Sequence, residues 1–270
     1  MSAWLTTRGD TINGLSADLA FAHVLADAAD AITRSAFLAG RAVDHELKAD
    51  GSPVSATDKA AERTVLDLVV ANRPTEAVVG EEVGVHGTSR RTWTVDGIDG
   101  TTNFVKGSPL WSTLIALVED DMPVLCVKSS PAQGRRWWAA RGRGAWSCEY
   151  GSSVAQRLAI WQPRADRLIT ACVDLAWSGH PIRASIDRLA TRVNIVGMTT
   201  HPAVMVASGE IDLAVQAAGG PWDFAGVMPL VWEAGGRCVD LDGREVRRPQ
   251  PPIIYVGNVT GDEVRQLLGH

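Results

Sequence analysis

The sequence predicts an α+β fold, a layered sandwich of helices and mixed sheets. Two amphipathic stretches open the chain, and a run of strand-like segments fills its middle. The second half then alternates strands and helices without the rhythm of repeated βαβ units.

From 16 to 40, apolar Phe21, Leu25, Ala28, Ile32 and Ala36 recur at three- and four-residue steps, predicting a helix stopped at Gly40. Residues 48–54 read as a turn-rich loop. Ser55 and Asp58 then supply capping side chains for a second helix through Ala61, Val65, Leu68 and Val69, ended by Pro74. Segments 77–80 and 91–95 read as short strands that deliver Glu81 and Asp96. Apolar runs 111–118 and 124–127 predict a hairpin about Asp120 and Asp121, and 137–140 with 145–146 a second one around glycines 142 and 144.

A composition shift at 162–164 divides the chain into subdomains 1–163 and 164–270. The second is read as a strand at 168–175, a polar connection at 178–183, a helix at 186–190, an extended piece at 193–196, a helix at 203–208 and a strand at 211–215. Gly219-Gly220-Pro221 opens a helix from Asp223, with Phe224, Val227, Met228 and Val231 on one face and Gly235-Gly236 as its stop. Pro229 falls inside that helix and should kink it. Strands at 238–241 and 253–256 and a helix at 263–268 finish the fold.

At 270 residues, 46% apolar and 21% charged, the chain can build a large core and is neither disordered nor a small stapled scaffold. A net charge of −5 leaves no broad basic face, which argues against nucleic acid as a partner. Cys126, Cys148, Cys172 and Cys238 form no CxxC pair and read as packing thiols in a reducing compartment. The first ten residues lack the apolar core of a signal peptide, and no run reaches the roughly 18 apolar residues of a membrane span, so the expected location is the cytoplasm.

The stretch Asp96-Gly97-Ile98-Asp99-Gly100-Thr101-Thr102-Asn103-Phe104 places two carboxylates three residues apart, between an apolar run and a glycine turn. At a strand end running into a helix start, such acids lie beside backbone N–H groups, an arrangement suited to metal ions and a phosphate held together. Glu81 and Asp223 share this context, and Asp58 is a fifth acid at a helix cap. A lone acid at a turn is commonly only a cap, but one turn does not need both Asp96 and Asp99. Carboxylates without accompanying His or Cys select Mg²⁺ or Mn²⁺ over Zn²⁺. Two such ions about 3.5 to 4 Å apart can clamp the attacking and leaving oxygens of a phosphoryl displacement and acidify a bound water. No GxSxG, P-loop or HExxH motif offers another hydrolytic chemistry.

Gly80-Glu81-Glu82, the Asp96 to Phe104 stretch, Pro221-Trp222-Asp223-Phe224-Ala225-Gly226 and Glu233-Ala234-Gly235-Gly236 together resemble the signatures of the inositol monophosphatase family. The similarity runs from about Phe21 to the C-terminus. It implies an αβαβα sandwich, usually homodimeric, that hydrolyses small phosphate esters with two or three Mg²⁺ ions and is sensitive to lithium. On matching positions, Glu81, Asp96, the Ile98 carbonyl, Asp99 and Asp223 would hold the metals. Glu81 and Thr101 would orient the water, with Asp58 tuning Thr101, while Gly100 and Thr101 N–H groups would hold the phosphate.

The expected substrate is a small polyol, sugar or nucleoside phosphate. Three positions depart from the family pattern. Gly97 stands for a proline and predicts a looser Asp96 to Asp99 loop with weaker metal affinity. Gln216 stands for an acid that accepts from substrate hydroxyls, and Met198 for a serine or aspartate. The Trp137 to Gly144 segment is similar to the histidinol-phosphatase branch, giving histidinol phosphate as the alternative substrate. Gly97 also motivates a reading from a different class, a binding or regulatory protein on a decayed phosphatase scaffold. Substrate contacts are expected from Met198, Gln216 and Asp223 and from the loop residues Asp174, Trp177, His180, Arg183 and His201.

Overall fold

A computed structural model describes residues 12–40, 45–49, 51–160, 169–173 and 182–269. Helix α1 (Ile12–Leu38) is followed by β1 (His45–Leu47), β2 (Pro53–Ser55) and α2 (Ala56–Asn72). The central strands are β3 (Ala77–Gly80), β4 (Gly84–His86) and β5 (Arg91–Asp99), then a short α3 (Thr101–Val105). After them run β6 (Ser112–Glu119), β7 (Met122–Ser130), β8 (Arg135–Ala140), β9 (Gly144–Glu149) and β10 (Ala155–Leu158). The remainder comprises β11 (Thr170–Val173), α4 (Arg183–Ala190), β12 (Asn194–Ile195), α5 (Pro202–Ala207), β13 (Leu213–Gln216), α6 (Pro221–Ala225), α7 (Met228–Glu233), β14 (Arg237–Val239), β15 (Ile253–Val256) and α8 (Gly261–Leu268).

Eight strands form one sheet in the order β10-β9-β8-β7-β6-β5-β3-β4, and five form a second in the order β12-β11-β13-β15-β14. Helices α1 and α2 cover one face of the large sheet, where Leu25, Ala26, Val65 and Val69 pack on Trp93, Val95, Ile115, Leu117 and Val127. Alternation along β6 sends Leu114 and Ala116 to the other face. There Phe224, Val227 and Leu230 of the α6–α7 layer meet them, together with Ala214 and Tyr255 of the small sheet. Helices α4 and α8 seal the far side through Ile186, Leu189, Val264 and Leu268. Strands β6 and β7 are therefore apolar on both faces, and the layers read α, β, α, β, α. The expected sandwich is the fold observed.

Several local expectations change. The 48–54 loop lies largely within an antiparallel hairpin, β1 with β2, whose turn residues pair through Lys48 N–H to the Ser52 carbonyl at 2.8 Å. Strands β4 and β10 are too short and exposed to show a pattern in sequence. The helix expected from Asp223 is two helices broken at Gly226, and Pro229 lies in the first turn of the second. A proline there loses no hydrogen bond, so no kink arises. Gly226 itself is required by packing, since a Cβ would sit 2.7 Å from Leu114 Cβ. The boundary at 162–164 lies outside the described residues. Among described helices none is long and apolar enough to cross a membrane, and all four cysteines are free thiols, three of them buried.

His23 on α1 sets its ring edge against Trp138 at 5.1 Å. Burial, reinforced by the Arg136 guanidinium, pulls its pKa from 6.5 down to about 4. Between those values the unfolded chain holds a proton that the folded protein does not, so stability falls as pH falls through that window. In urea melts at pH 6.5 and 4.5, His23→Phe should lose about 1–2 kcal/mol less than wild type, allowing for partial solvent screening. Equal losses would show that His23 does not couple folding to pH.

Candidate metal centre

Strands β3 and β5 are parallel neighbours, with Gly80 opposite Val95, so Glu81 and Asp96 emerge side by side. Gly80 fits because a Cβ would meet Glu62 Oε2 at 2.5 Å. Residues three apart on a regular strand face opposite sides. Here the pairing of β5 with β6 slips between Asp96, opposite Leu114, and Asp99, opposite Ser112. That bulge inserts one residue and breaks the strand's alternation, so Asp96 and Asp99 need not face opposite sides; the Asp99 charge is one of those acting on Asp96. From the other layer, Asp223 arrives in the first turn of α6, its Oδ2 accepting from Gly220 N–H at 2.6 Å.

Carboxylate oxygens of Glu81, Asp96 and Asp223 lie within 4.8 Å of one another. Asp96 is buried, and desolvation together with the charges of Glu81, Asp223 and Asp99 pushes its pKa well above the usual carboxylate range. Burial, then Asp99 and Glu81, raises Asp223 to about 8. Glu81 is raised too, chiefly by burial, although Lys48 Nζ donates to its Oε1 at 2.5 Å. A cluster of oxygen donors that repel one another and are shielded from water is stabilised by a hard cation, so the residues present fit Mg²⁺ or Mn²⁺.

Helix α2 holds this loop in place. Glu62, which sequence patterning left unnoticed on a helix face, is buried and accepts three backbone hydrogen bonds. Its Oε2 takes Glu82 N–H at 2.8 Å and Val83 N–H at 3.0 Å, and its Oε1 takes Gly97 N–H at 3.3 Å. Burial nonetheless raises its pKa to about 7. Gly97 is correspondingly pinned. A Cβ there would lie 2.9 Å from the Asp58 carbonyl and 3.2 Å from Ala61 Cβ, and Thr113 Oγ1 donates to the Gly97 carbonyl at 3.0 Å. The looser loop expected from a missing proline is not what the structure has, because α2 constrains the same backbone from outside.

Asp58 is part of the α2 capping box with Ser55, whose Oγ donates to Asp58 Oδ2 at 2.5 Å. Its other oxygen lies 3.0 Å from Thr101 Oγ1, which is also 3.0 Å from the Ile98 carbonyl. The cap and the link to Thr101 coexist on one side chain. Gly100, in the left-handed region at φ +87°, turns the chain into α3. Glu82 also pairs with Lys48.

A cavity of about 260 Å³ opens beside these acids, lined among others by Asp99, Gly100, Lys128, Met198, Gln216 and Asp223. It also takes in His201, whose Nδ1 accepts from Ala203 N–H at 3.1 Å. Arg183 is not among its lining residues and pairs with Asp187. Asp174, Trp177 and His180 lie outside the described residues. Lys128 was missed: it lies in an apolar strand run, and only its neighbours across the sheet reveal what it faces. Trp137 and Trp138 are hairpin framework as expected, one on each face of the large sheet. Glu233 is also structural, accepting from the Gly142 and Gly144 amides of the β8–β9 turn.

Residues 15–266 match the model of the inositol monophosphatase family. A histidinol-phosphatase of Streptomyces coelicolor is 39% identical over 94% of this chain and 96% of its own. Another, from Mycobacterium tuberculosis, is 39% identical over 84% and 88%. Among solved structures, an IMPase of Thermotoga maritima superposes with a TM-score of 0.77 at 26% identity, covering 93% of this chain and 96% of its own.

Proposed function

The chain belongs to the inositol monophosphatase family and is a phosphoric monoester hydrolase, and from that premise we propose that it is a Mg²⁺-dependent phosphatase of small phosphate esters. The observation that carries this reading is the convergence of Glu81, Asp96 and Asp223 oxygens within 4.8 Å, with Asp223 lining a cavity together with Asp99. We assign metal binding to these four carboxylates and the Ile98 carbonyl, with Mn²⁺ a serviceable substitute. Bound there, divalent ions would acidify a water and neutralise charge on the phosphate oxygens.

The remaining work falls to the chain itself. Thr101 Oγ1, held by Asp58, and Glu81 are assigned the attacking water. The Gly100 and Thr101 amides are assigned the phosphate oxygens, where N–H groups at the start of α3 favour an anion. Glu62 keeps both metal-bearing loops at fixed separation. Division at residue 163, a homodimeric assembly and a cytoplasmic location remain part of this proposal.

The substrates proposed are polyol, sugar or nucleoside phosphates. Histidinol phosphate is a second reading, favoured by the two relatives at 39% identity. Phosphate release from a panel of these esters with Mg²⁺ tests both. Turnover of the polyol, sugar or nucleotide esters above histidinol phosphate supports the first, and the reverse order supports the second. Ligand binding without Mg²⁺ and without release from any ester would instead indicate a binding protein on this scaffold.

A further inference from the structure

Lys128 stands in one cross-strand row with Asp96, Leu114 and Trp137, each directly opposite the next. Its backbone is thus two strands from Asp96, about 10 Å at the usual strand spacing. Its side chain lines the same cavity as Asp99 and Asp223. The side chain is 2% exposed, Nζ donates to Ser130 Oγ at 2.9 Å, and the ammonium lies 5.1 Å from the Trp137 ring centre. No described carboxylate forms an ion pair with it. Burial lowers its pKa to about 8, with Asp99 opposing.

Burying an ammonium without a carboxylate is costly, and the reaction proposed above gives it no task. Four carboxylates already balance two divalent ions, and the scissile phosphate has the metals and the Gly100 turn. The groups around Lys128 share its polarity. Tyr255 OH donates to Gln216 Oε1 at 2.6 Å, which leaves the Gln216 Nε2 donors for the cavity. His201 is held neutral by burial, its pKa about 4, and because Nδ1 accepts from Ala203 the ring proton sits on Nε2. Ammonium, amide and imidazole N–H groups therefore line a cavity whose only described lining acids are Asp99 and Asp223, both assigned to metal.

We propose, resting on the phosphatase reading, that Lys128 with Gln216 and His201 forms a subsite for a second anionic group on the substrate, a carboxylate or a second phosphate. The preferred substrate is a small phosphate ester with such a group, and an ester with an ammonium at that position is disfavoured.

The test compares kcat/KM for matched pairs: phosphoglycerate against glycerol phosphate, and a hexose bisphosphate against its monophosphate. Histidinol phosphate serves as the cationic probe. Wild type should favour the doubly anionic member of each pair. Lys128→Met should lower that preference about ten- to a hundredfold, mainly through KM, the scale of a charge-assisted hydrogen bond. Its thermal midpoint should equal or exceed that of wild type, because it removes a buried charge, whereas a purely structural lysine would leave a less stable protein. Lys128→Gln, polar but uncharged, provides the same comparison if the methionine variant fails to fold. A preference unmoved by either substitution, including equal loss on every ester, overturns the subsite while leaving the phosphatase reading intact. Wild-type inertness toward every ester overturns both.

Discussion

Asp96→Asn should reduce phosphate release by at least about a thousandfold, since even outer partners of metal ligands cost ten- to a hundredfold when removed. The substitution is nearly isosteric. Asparagine Oδ1 can still accept the Ile98 N–H that Asp96 Oδ1 accepts at 2.9 Å, so the turn survives. What changes is charge. In wild type this carboxyl is buried against Glu81, Asp223 and Asp99, and without a cation the fold carries that repulsion. The variant should therefore melt higher than wild type in chelator, while losing activity. With Mg²⁺ at about a hundred times its dissociation constant, wild type should gain about 2.7 kcal/mol, roughly 5–10 °C. The variant should gain little. Retained activity together with an unchanged Mg²⁺ shift would rule Asp96 out as a ligand.

Glu62→Ala should be the most damaging change outside the acidic cluster, with an expected stability loss of about 3–5 kcal/mol in denaturant melts. Three backbone donors, Glu82, Val83 and Gly97, would lose their acceptor in a place water reaches poorly. A void would open against Gly80 and Gly97, whose Cα atoms already face the glutamate side chain. Both loops that carry the acidic cluster hang on this residue, so kcat should fall as well, by about ten- to a hundredfold, in the protein that still folds. A loss below about 1 kcal/mol would mean that the loops hold their own geometry and that Glu62 is incidental.

These expectations involve residues that differ in how far sequence exposed them. Asp96, Asp99, Glu81 and Asp223 could be singled out in the sequence because each is an acid at a strand end or helix start flanked by glycine or tryptophan. Glu62 and Lys128 were not legible. A glutamate on an amphipathic helix normally faces water, and a lysine in an apolar strand looks like an edge or a chain error until its sheet partners are known. Gly97 shows how little a local reading sees. Taken alone it promises a flexible turn, but α2 approaches so closely that the missing side chain is what permits the contact. Pro229 was misplaced for a similar reason, since the helix already breaks at Gly226, three residues before the proline.

By itself the sequence determined the layered fold, the family and the reaction, because periodicity, ordered glycine-flanked acids and an all-oxygen donor set are local properties of the chain. Tertiary structure alone decided the bulge between Asp96 and Asp99, the brace from Glu62, and the row that sets Lys128 two strands from Asp96. Each of these depends on strand register and on helix approach. Register joins residues far apart in the chain, such as Asp96, Leu114 and Lys128, through backbone pairing that no single segment encodes.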